Sequence, residues 1–166
     1  NLIENVEMAD EHPPKARQLL ITGATGGMGR ASALLAAREG YDLLLADLSM
    51  SKLAELATEC ARYNITTRYQ FLDVTQSDSI DGLVAALEAV GGIDAIVHTV
   101  GLSPQMADSQ RIINVDLIGT VALLEKARQQ LKTGGCAVCI ASMSAYMVPP
   151  NEKIEVALAN PLATDI

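Results

Sequence analysis

The chain has 166 residues, of which 49% are apolar and 19% are charged, so it can bury a core and is not composed like a disordered protein. Its 20 acidic residues outnumber its 12 basic ones and give a formal net charge of −8, which argues against nucleic acid as the main partner, because phosphate binding needs a basic surface. With three cysteines and no apolar run of about 18 residues, the sequence has neither a disulfide framework nor a membrane span, and we expect a cytoplasmic protein without a membrane partner.

Apolar runs and helical patterns alternate along the chain. Residues 1–17 are polar and include Pro13-Pro14, so we expect a flexible arm ahead of one domain over 18–166. Strands are predicted over 18–22, 42–46, 66–72, 93–98 and 137–141. Helices are predicted over 28–39, 51–61, 75–90, 110–131 and 152–158, with glycine stops at Gly40, Gly91-Gly92 and Gly134-Gly135 and a capping box of Thr75 and Asp78. This alternation favours an α/β fold with an open, doubly wound parallel sheet of the dinucleotide-binding Rossmann type, covered by helices on both faces.

The first functional signal is a glycine-rich segment, Thr22-Gly-Ala-Thr-Gly-Gly-Met-Gly29, between the first strand and the first helix. A tight strand-to-helix turn needs backbone freedom at Gly23, and Gly29 lets the helix pack close to the sheet. Gly26 or Gly27 lets the main chain approach a pyrophosphate, which the free N–H groups of the helix N-terminus favour. The alternative is an ordinary flexible turn, but the flanking strand and helix lie where phosphate binding requires them.

Two carboxylates follow the second and third strands. Asp47 can accept hydrogen bonds from a ribose diol and would repel a 2′-phosphate. Residues 24–28 and 48–49 contain no Lys or Arg to receive that phosphate, so we expect NAD rather than NADP. Asp73 can take the adenine amino group while Val74 packs on the ring. For both aspartates, a helix-capping role is the alternative.

These segments, together with Asn114 in Asn-Val-Asp-Leu-Ile-Gly-Thr120 and Ser142 in Cys-Ile-Ala-Ser-Met-Ser144, resemble the short-chain dehydrogenase/reductase superfamily over about residues 18–144. The glycine turn fits both the TGxxxGxG pattern of the classical branch and the TGxxGxxG pattern of the extended branch. The family's Asn-Asn-Ala-Gly turn is replaced by His98-Thr-Val-Gly101, and we interpret His98 as a satisfied strand-end residue rather than a catalyst.

The resemblance implies roles for individual residues. Asn114 would hold a water in a proton relay, and Ser142 would hydrogen-bond the substrate oxygen, with Ser144 as the neighbouring candidate. The cofactor would be bound by Thr22, Gly23, Thr25, Gly26, Gly27, Met28, Gly29, Asp47, Leu48, Asp73, Val74, Thr99 and Gly101.

The family's catalytic base, a Tyr followed four residues later by a Lys, does not occur in these 166 residues. Tyr146 lies only four residues after Ser142, too close for the family's spacing, so we interpret it as a loop residue. The apolar fifth strand also lacks a partner element to cover both of its faces. We therefore expect the chain to be part of a longer enzyme, without the C-terminal helix and strands of the family.

The leading hypothesis is an NAD(H)-dependent oxidoreductase that moves a hydride between nicotinamide and a secondary alcohol or ketone. One alternative is an NAD-dependent epimerase or dehydratase of the extended branch that acts on a nucleotide sugar. Another is a dinucleotide-binding sensor without catalysis. The resemblance also implies a homo-oligomer through helix 110–131.

The cysteines suggest no metal site. Cys136 and Cys139 are three apart on a predicted strand, so their side chains point to opposite faces and cannot bind one ion. We predict that both, like Cys60, pack in the core.

Overall fold

The computed structural model describes residues 17–147, 149–159 and 161–162. They form a five-stranded parallel sheet in the order β3-β2-β1-β4-β5, which confirms the predicted doubly wound α/β fold. The strands are β1 (Gln18–Thr22), β2 (Asp42–Asp47), β3 (Thr67–Phe71), β4 (Ile93–His98) and β5 (Leu131–Cys139). The arm predicted over 1–17 lies outside the described residues, apart from Arg17.

The strands are joined by helices α1 (Gly27–Arg38), α2 (Met50–Cys60), α3 (Ser77–Ala89), α4 (Ser109–Ile112) and α5 (Thr120–Ala127). A π-helical segment, Ile113–Gly119, connects α4 to α5, so one continuous helical run takes the place of the predicted helix 110–131. α6 (Glu152–Ala159) follows the sheet. Among the described residues, no helix combines the length and the apolar character needed to cross a membrane.

The central strand β1 is buried along its whole length, because helices pack on both faces of the sheet. Leu20 faces a cluster built by α3 and α5, which includes Leu83 and Leu123. Ile21 faces the opposite cluster, where α1 and α2 contribute small and aliphatic side chains such as Leu53. Side chains of adjacent β1 residues point to opposite faces, which explains why Leu19, Leu20 and Ile21 are all apolar.

The start of α3 differs from the sequence prediction. The helix begins at Ser77 after Gln76, and no side chain caps its N-terminus. Thr75 instead donates its hydroxyl to Asp73 Oδ1 at 2.7 Å. The predicted capping box of Thr75 and Asp78 is therefore wrong, because the Asp73 turn holds Thr75 before the helix starts.

The last strand also differs from the prediction. β5 begins at Leu131, so Gly134-Gly135 lie inside it, and its pairing with β4 shifts between Leu131 and Cys136. Cys136 and Cys139 are exposed, so their predicted core position is wrong, whereas Cys60 is buried as predicted. The reason is topological: β5 is at the edge of the sheet, and most of its residues face solvent.

Candidate functional site

A cleft of about 330 Å³ opens at the carboxyl ends of β1, β2 and β4. In open parallel sheets this edge is where ligands bind, since the strand order reverses there. The cleft is lined by residues of the glycine turn, of the loops after β2 and β3, and of the segment from β4 into the following helical run: Gly23, Thr25, Gly26, Asp47, Leu48, Lys52, Leu72, Asp73, Val74, Thr75, Thr99, Val100, Gly101, Leu102, Met106, Arg111 and Val115.

The glycine turn is held tightly against its surroundings. Gly23 has φ +70°, and a Cβ there would lie 2.8 Å from the Thr99 backbone. A Cβ on Gly29 would collide with the Gly23 carbonyl oxygen, which confirms that this glycine lets α1 pack against the turn. A Cβ on Gly26 would lie 3.3 Å from the same oxygen, whereas one on Gly27 would meet nothing within 4 Å. Open space therefore lies beside Gly27, at the first residue of α1.

Asp47 joins the glycine turn to the loop after β2. Its Oδ2 accepts the Thr25 N–H at 2.9 Å, and its Oδ1 accepts the Leu48 N–H at 2.7 Å and the Ser49 N–H at 3.4 Å. α2 itself begins after Ser49 without a side-chain cap, so Asp47 is not its N-cap. The carboxylate is fixed at the wall of the cleft by main-chain donors from two loops.

Thr99 closes the floor of the cleft from the β4 side. Its hydroxyl donates to the Thr22 carbonyl at 2.9 Å and to the Gly23 carbonyl at 3.2 Å. The Thr99 N–H also donates to the Thr22 carbonyl at 3.0 Å. These bonds satisfy main-chain acceptors at the end of β1 and make the turn rigid.

Asp73 and Val74 form the wall beyond β3. Asp73 Oδ1 accepts the Thr75 N–H at 3.0 Å as well as its hydroxyl, and the carboxylate remains on the cleft surface. Val74 is buried, and a Cβ on Gly119 would lie 2.8 Å from its Cγ2. The close approach of the π-helical segment at this glycine sets the position of the apolar wall.

His98 lies behind the cleft and is 2% exposed. Its Nδ1 is 2.7 Å from Thr22 Oγ1, and its Nε2 is 2.9 Å from Thr120 Oγ1. Burial lowers the pKa of His98 below its usual value, while the Asp116 carboxylate acts in the opposite direction. Both ring nitrogens have partners, which confirms the interpretation of His98 as a satisfied strand-end residue.

Several residues singled out from the sequence lie outside the cleft lining. The Thr22 side chain faces His98 rather than the cleft, and Met28 is exposed. Asn114 lines a separate hollow between α3 and the helical run, where its Oδ1 is 3.4 Å from Gln110 Nε2. Ser142 follows β5 and is exposed.

The Ser142 hydroxyl oxygen accepts the Ser144 N–H at 3.2 Å and lies 2.8 Å from the Ser144 hydroxyl. The two serines that the sequence left as alternatives are therefore neighbours. The structure does not bring Ser142 or Asn114 into the cleft that holds Asp47.

The structure adds cleft residues that the sequence prediction did not include. Lys52, in the first turn of α2, lines the cleft beside Asp47 and Leu48. Arg111 and Met106 line it from the segment after β4. The sequence prediction looked for a basic residue only next to Asp47. Because α2 begins at Met50, its first turn places Lys52 at the same edge of the sheet.

Comparison with known proteins gives consistent matches. A family model described as enoyl-(acyl carrier protein) reductase matches residues 23–159, well over half of the chain. A short-chain dehydrogenase/reductase from Armillaria gallica is 33% identical over 139 residues, which are 77% of this chain and 53% of that protein. The chain thus spans about half the length of this curated relative.

Two solved structures are similar in fold. An alcohol dehydrogenase from the archaeon Thermococcus sibiricus, complexed with 5-hydroxy-NADP, has a TM-score of 0.74 and 27% identity, over 87% of this chain and 66% of that one. An NAD⁺-bound xylitol dehydrogenase has a TM-score of 0.71 and 26% identity, over 86% of this chain and 59% of that one. The glycine turn, the Rossmann sheet and these matches together show that the chain belongs to the short-chain dehydrogenase/reductase superfamily.

Proposed function

We propose that this chain binds NAD(H), and that the protein is an oxidoreductase that transfers a hydride between nicotinamide and the carbon of a secondary alcohol or ketone. The observation that carries the proposal is the single cleft that joins the glycine turn, Asp47 and the Asp73-Val74 wall. Membership of a superfamily of dehydrogenases supports the reaction class.

The glycine turn fits a pyrophosphate. α1 begins after Gly26 with no side-chain cap, so the first N–H groups of the helix are free to bind an anion. Gly23, Thr25 and Gly26 line the cleft, so an anion in the cleft meets the turn at these residues. The helix N-terminus also provides a local positive field at this turn.

The other walls fit an adenosine. An ionised carboxylate has about four acceptor positions, and the main chain occupies three of those of Asp47, so one is left for a ribose hydroxyl. Leu72 and Val74 provide apolar surface for the adenine, and the Asp73 carboxylate lies at their edge to accept from its amino group. A carboxylate at the end of β2 favours NAD over NADP.

The nicotinamide ring supplies or accepts the hydride when it is bound. In this proposal Ser142 hydrogen-bonds the substrate oxygen and Asn114 positions a water, as the family resemblance implies. Ser142 follows β5, and Asn114 lies in the π-helical segment; neither lines the cleft itself. The substrate is a small molecule, and the helical run that takes the place of the predicted helix 110–131 is the proposed contact between protomers.

NADH binding measured by fluorescence titration tests the cofactor assignment. The protein should bind NADH, and Asp47→Asn should weaken binding about tenfold, since hydrogen bonds to a charged group contribute about 1.5–3 kcal/mol. Asp81→Asn removes the same charge on α3, where Asp81 pairs with Lys126 outside the cleft, and should bind NADH like the wild type. Equal affinities of the wild type and Asp47→Asn would contradict the role of Asp47.

Absorbance at 340 nm tests the reaction with the full protein and a panel of secondary alcohols and ketones. Net oxidation or reduction of the cofactor is the expected result. Tight NADH binding without turnover would instead indicate a sensor, and conversion of a nucleotide sugar without net NADH production would indicate the extended branch. Absence of NADH binding would overturn the proposal.

A further inference from the structure

One edge of the sheet is the strand β3, which pairs with β2 alone. The pairing stays in register over the whole strand, from Thr67 to Phe71. Along its five described residues β3 has no proline, lysine or bulge, features that keep an edge strand from pairing with another chain. At the opposite edge, β5 contains Lys132 and its register shifts against β4. Of the two edges, β3 is therefore the one with fewer obstacles to a further strand.

The main chain of β3 bonds β2 through even-numbered residues, as the hydrogen bonds at both ends of the segment show. The Leu43 N–H donates to the Thr66 carbonyl at 2.8 Å, and the Leu72 N–H donates to the Asp47 carbonyl at 3.0 Å. Because the N–H and C=O groups of successive strand residues point in opposite directions, the odd-numbered residues face away from β2. The residues with outward main-chain donors and acceptors are Thr67, Tyr69 and Phe71.

Two aromatic side chains occupy the same odd-numbered positions. Tyr69 is 41% exposed and Phe71 is 43% exposed, although the chain has only four tyrosines and one phenylalanine. Tyr69 pairs in register with Leu45, which packs in the cluster under α1 and α2, so both aromatic rings lie on that face of the sheet. A second strand at this edge would cover them, and cross-strand aromatic pairs stabilise a sheet.

The other face of β3 carries two opposite charges. Arg68 is exposed on the strand, and Asp78 is exposed on α3. Asp78 lies one turn before Gly82, where a Cβ would be 3.6 Å from Gln70 Nε2, so Asp78 and Gln70 are on the same side of the edge. Among the residues that the structure describes, neither Arg68 nor Asp78 forms an ion pair. Both charges are therefore available to a strand that joins this edge.

We propose that β3 binds the β3 of a second copy of this chain, with the two strands antiparallel about a two-fold axis at Tyr69. This register joins the outward N–H and C=O groups of Tyr69 to those of the partner's Tyr69. It also sets Arg68 opposite the partner's Gln70, on the side where the partner's Asp78 lies. Aromatic rings meet on one face and opposite charges on the other, so the edge is complementary to itself, as a two-fold interface requires. This interface is separate from the cleft and from the helical run.

Sedimentation velocity tests the interface. At about 50 μM the wild type should associate, and Tyr69→Lys should halve the mass of the assembly, since two like charges would face each other at the axis. Tyr63→Lys makes the same change at a tyrosine that is 43% exposed in the turn Ala61–Tyr63, outside β3, and should associate like the wild type. A monomeric wild type, or an assembly that Tyr69→Lys leaves unchanged, would overturn the proposal.

Cross-linking tests the register and does not depend on the folding of the lysine variant. Cys136→Ser and Cys139→Ser remove the exposed thiols of the described residues and give the background. In that background Tyr69→Cys should be joined to a second chain by a short bismaleimide, because directly opposite residues of antiparallel strands have Cβ atoms about 5 Å apart. Tyr63→Cys should stay unlinked. No link at position 69, or equal linking at position 63, would contradict the proposed pairing, whereas the proposed function does not depend on either result.

Discussion

The imidazole of His98 connects β4 to β1 and to α5 through one hydrogen bond at each ring nitrogen, to Thr22 and Thr120. Because burial lowers its pKa, the folded state disfavours the protonated ring. An unfolded chain, whose histidine has the ordinary pKa of 6.5, binds a proton there more readily. The stability contributed by neutral His98 is present above pH 6.5 and is lost as the pH falls through the lowered pKa.

Urea unfolding at pH 7.5 and pH 5.5 tests this linkage. The wild type should lose more stability on acidification than His98→Asn, since the amide can hydrogen-bond but does not titrate in this range. Equal losses in the two proteins would show that other groups cause the acid sensitivity.

At the scale of elements, the contact between α1 and the glycine turn requires a residue without a Cβ at position 29. Gly29→Ala should destabilise the protein by about 2–3 kcal/mol, because its Cβ would collide with the Gly23 carbonyl and force the helix outward. Gly27→Ala, two residues earlier on the same helix, meets open space and should be neutral or slightly stabilising. Chemical denaturation of the two variants measures the difference, and similar losses would contradict the packing role of Gly29.

Elements with a strong local signal were predictable from the sequence. β1 and β4 were predicted from short apolar runs, and their observed bounds are those predicted. The glycine turn was predicted from its position directly after β1. β5 was not placed correctly, because its pairing with β4 over a shifted register is a tertiary property. The π-helical segment lies inside a longer helical run, and the sequence gave no separate signal for it.

The candidate site was predictable to the same extent. Asp47 is the last residue of β2, and Asp73 and Val74 lie within three residues of the end of β3, so the topology alone places them at one edge of the sheet. Lys52 escaped prediction because it reaches the cleft from inside a helix. Whether Cys136 is exposed depends on which elements pack against β5, and the composition of β5 alone does not reveal this.

For the whole molecule, burial falls from the centre of the sheet to its β5 edge. β1 is fully buried and bonded on both sides, whereas β5 pairs with β4 alone and has an exposed apolar side chain, that of Val138. Amide hydrogen exchange of the 166-residue chain should therefore be slower over 18–22 than over 131–139, by about tenfold or more. Equal protection of the two strands would show that another surface covers β5.

A polar contact also joins three strands near their amino ends. Asp94 Oδ2 accepts the Gln18 N–H at 2.7 Å and the Lys132 ammonium at 2.9 Å, so one carboxylate joins β1, β4 and β5. Burial would raise the pKa of Asp94, but the bonds to Gln18 and Lys132 outweigh it, and the pKa stays below its usual value.

The Asp94 contact has a consequence for synthesis on the ribosome. Asp94 is synthesised 76 residues after Gln18, so the bond between them cannot form earlier. Until β4 has left the exit tunnel, β1 has β2 alone as a neighbour in the sheet. During that interval β1, which is buried along its whole length in the folded protein, has one open edge, and a delay in translation before residue 98 would lengthen its exposure to chaperones and to other nascent chains. The order in which the strands emerge therefore lets β2 gain both of its partners, β1 and β3, before β1 gains its second partner, β4.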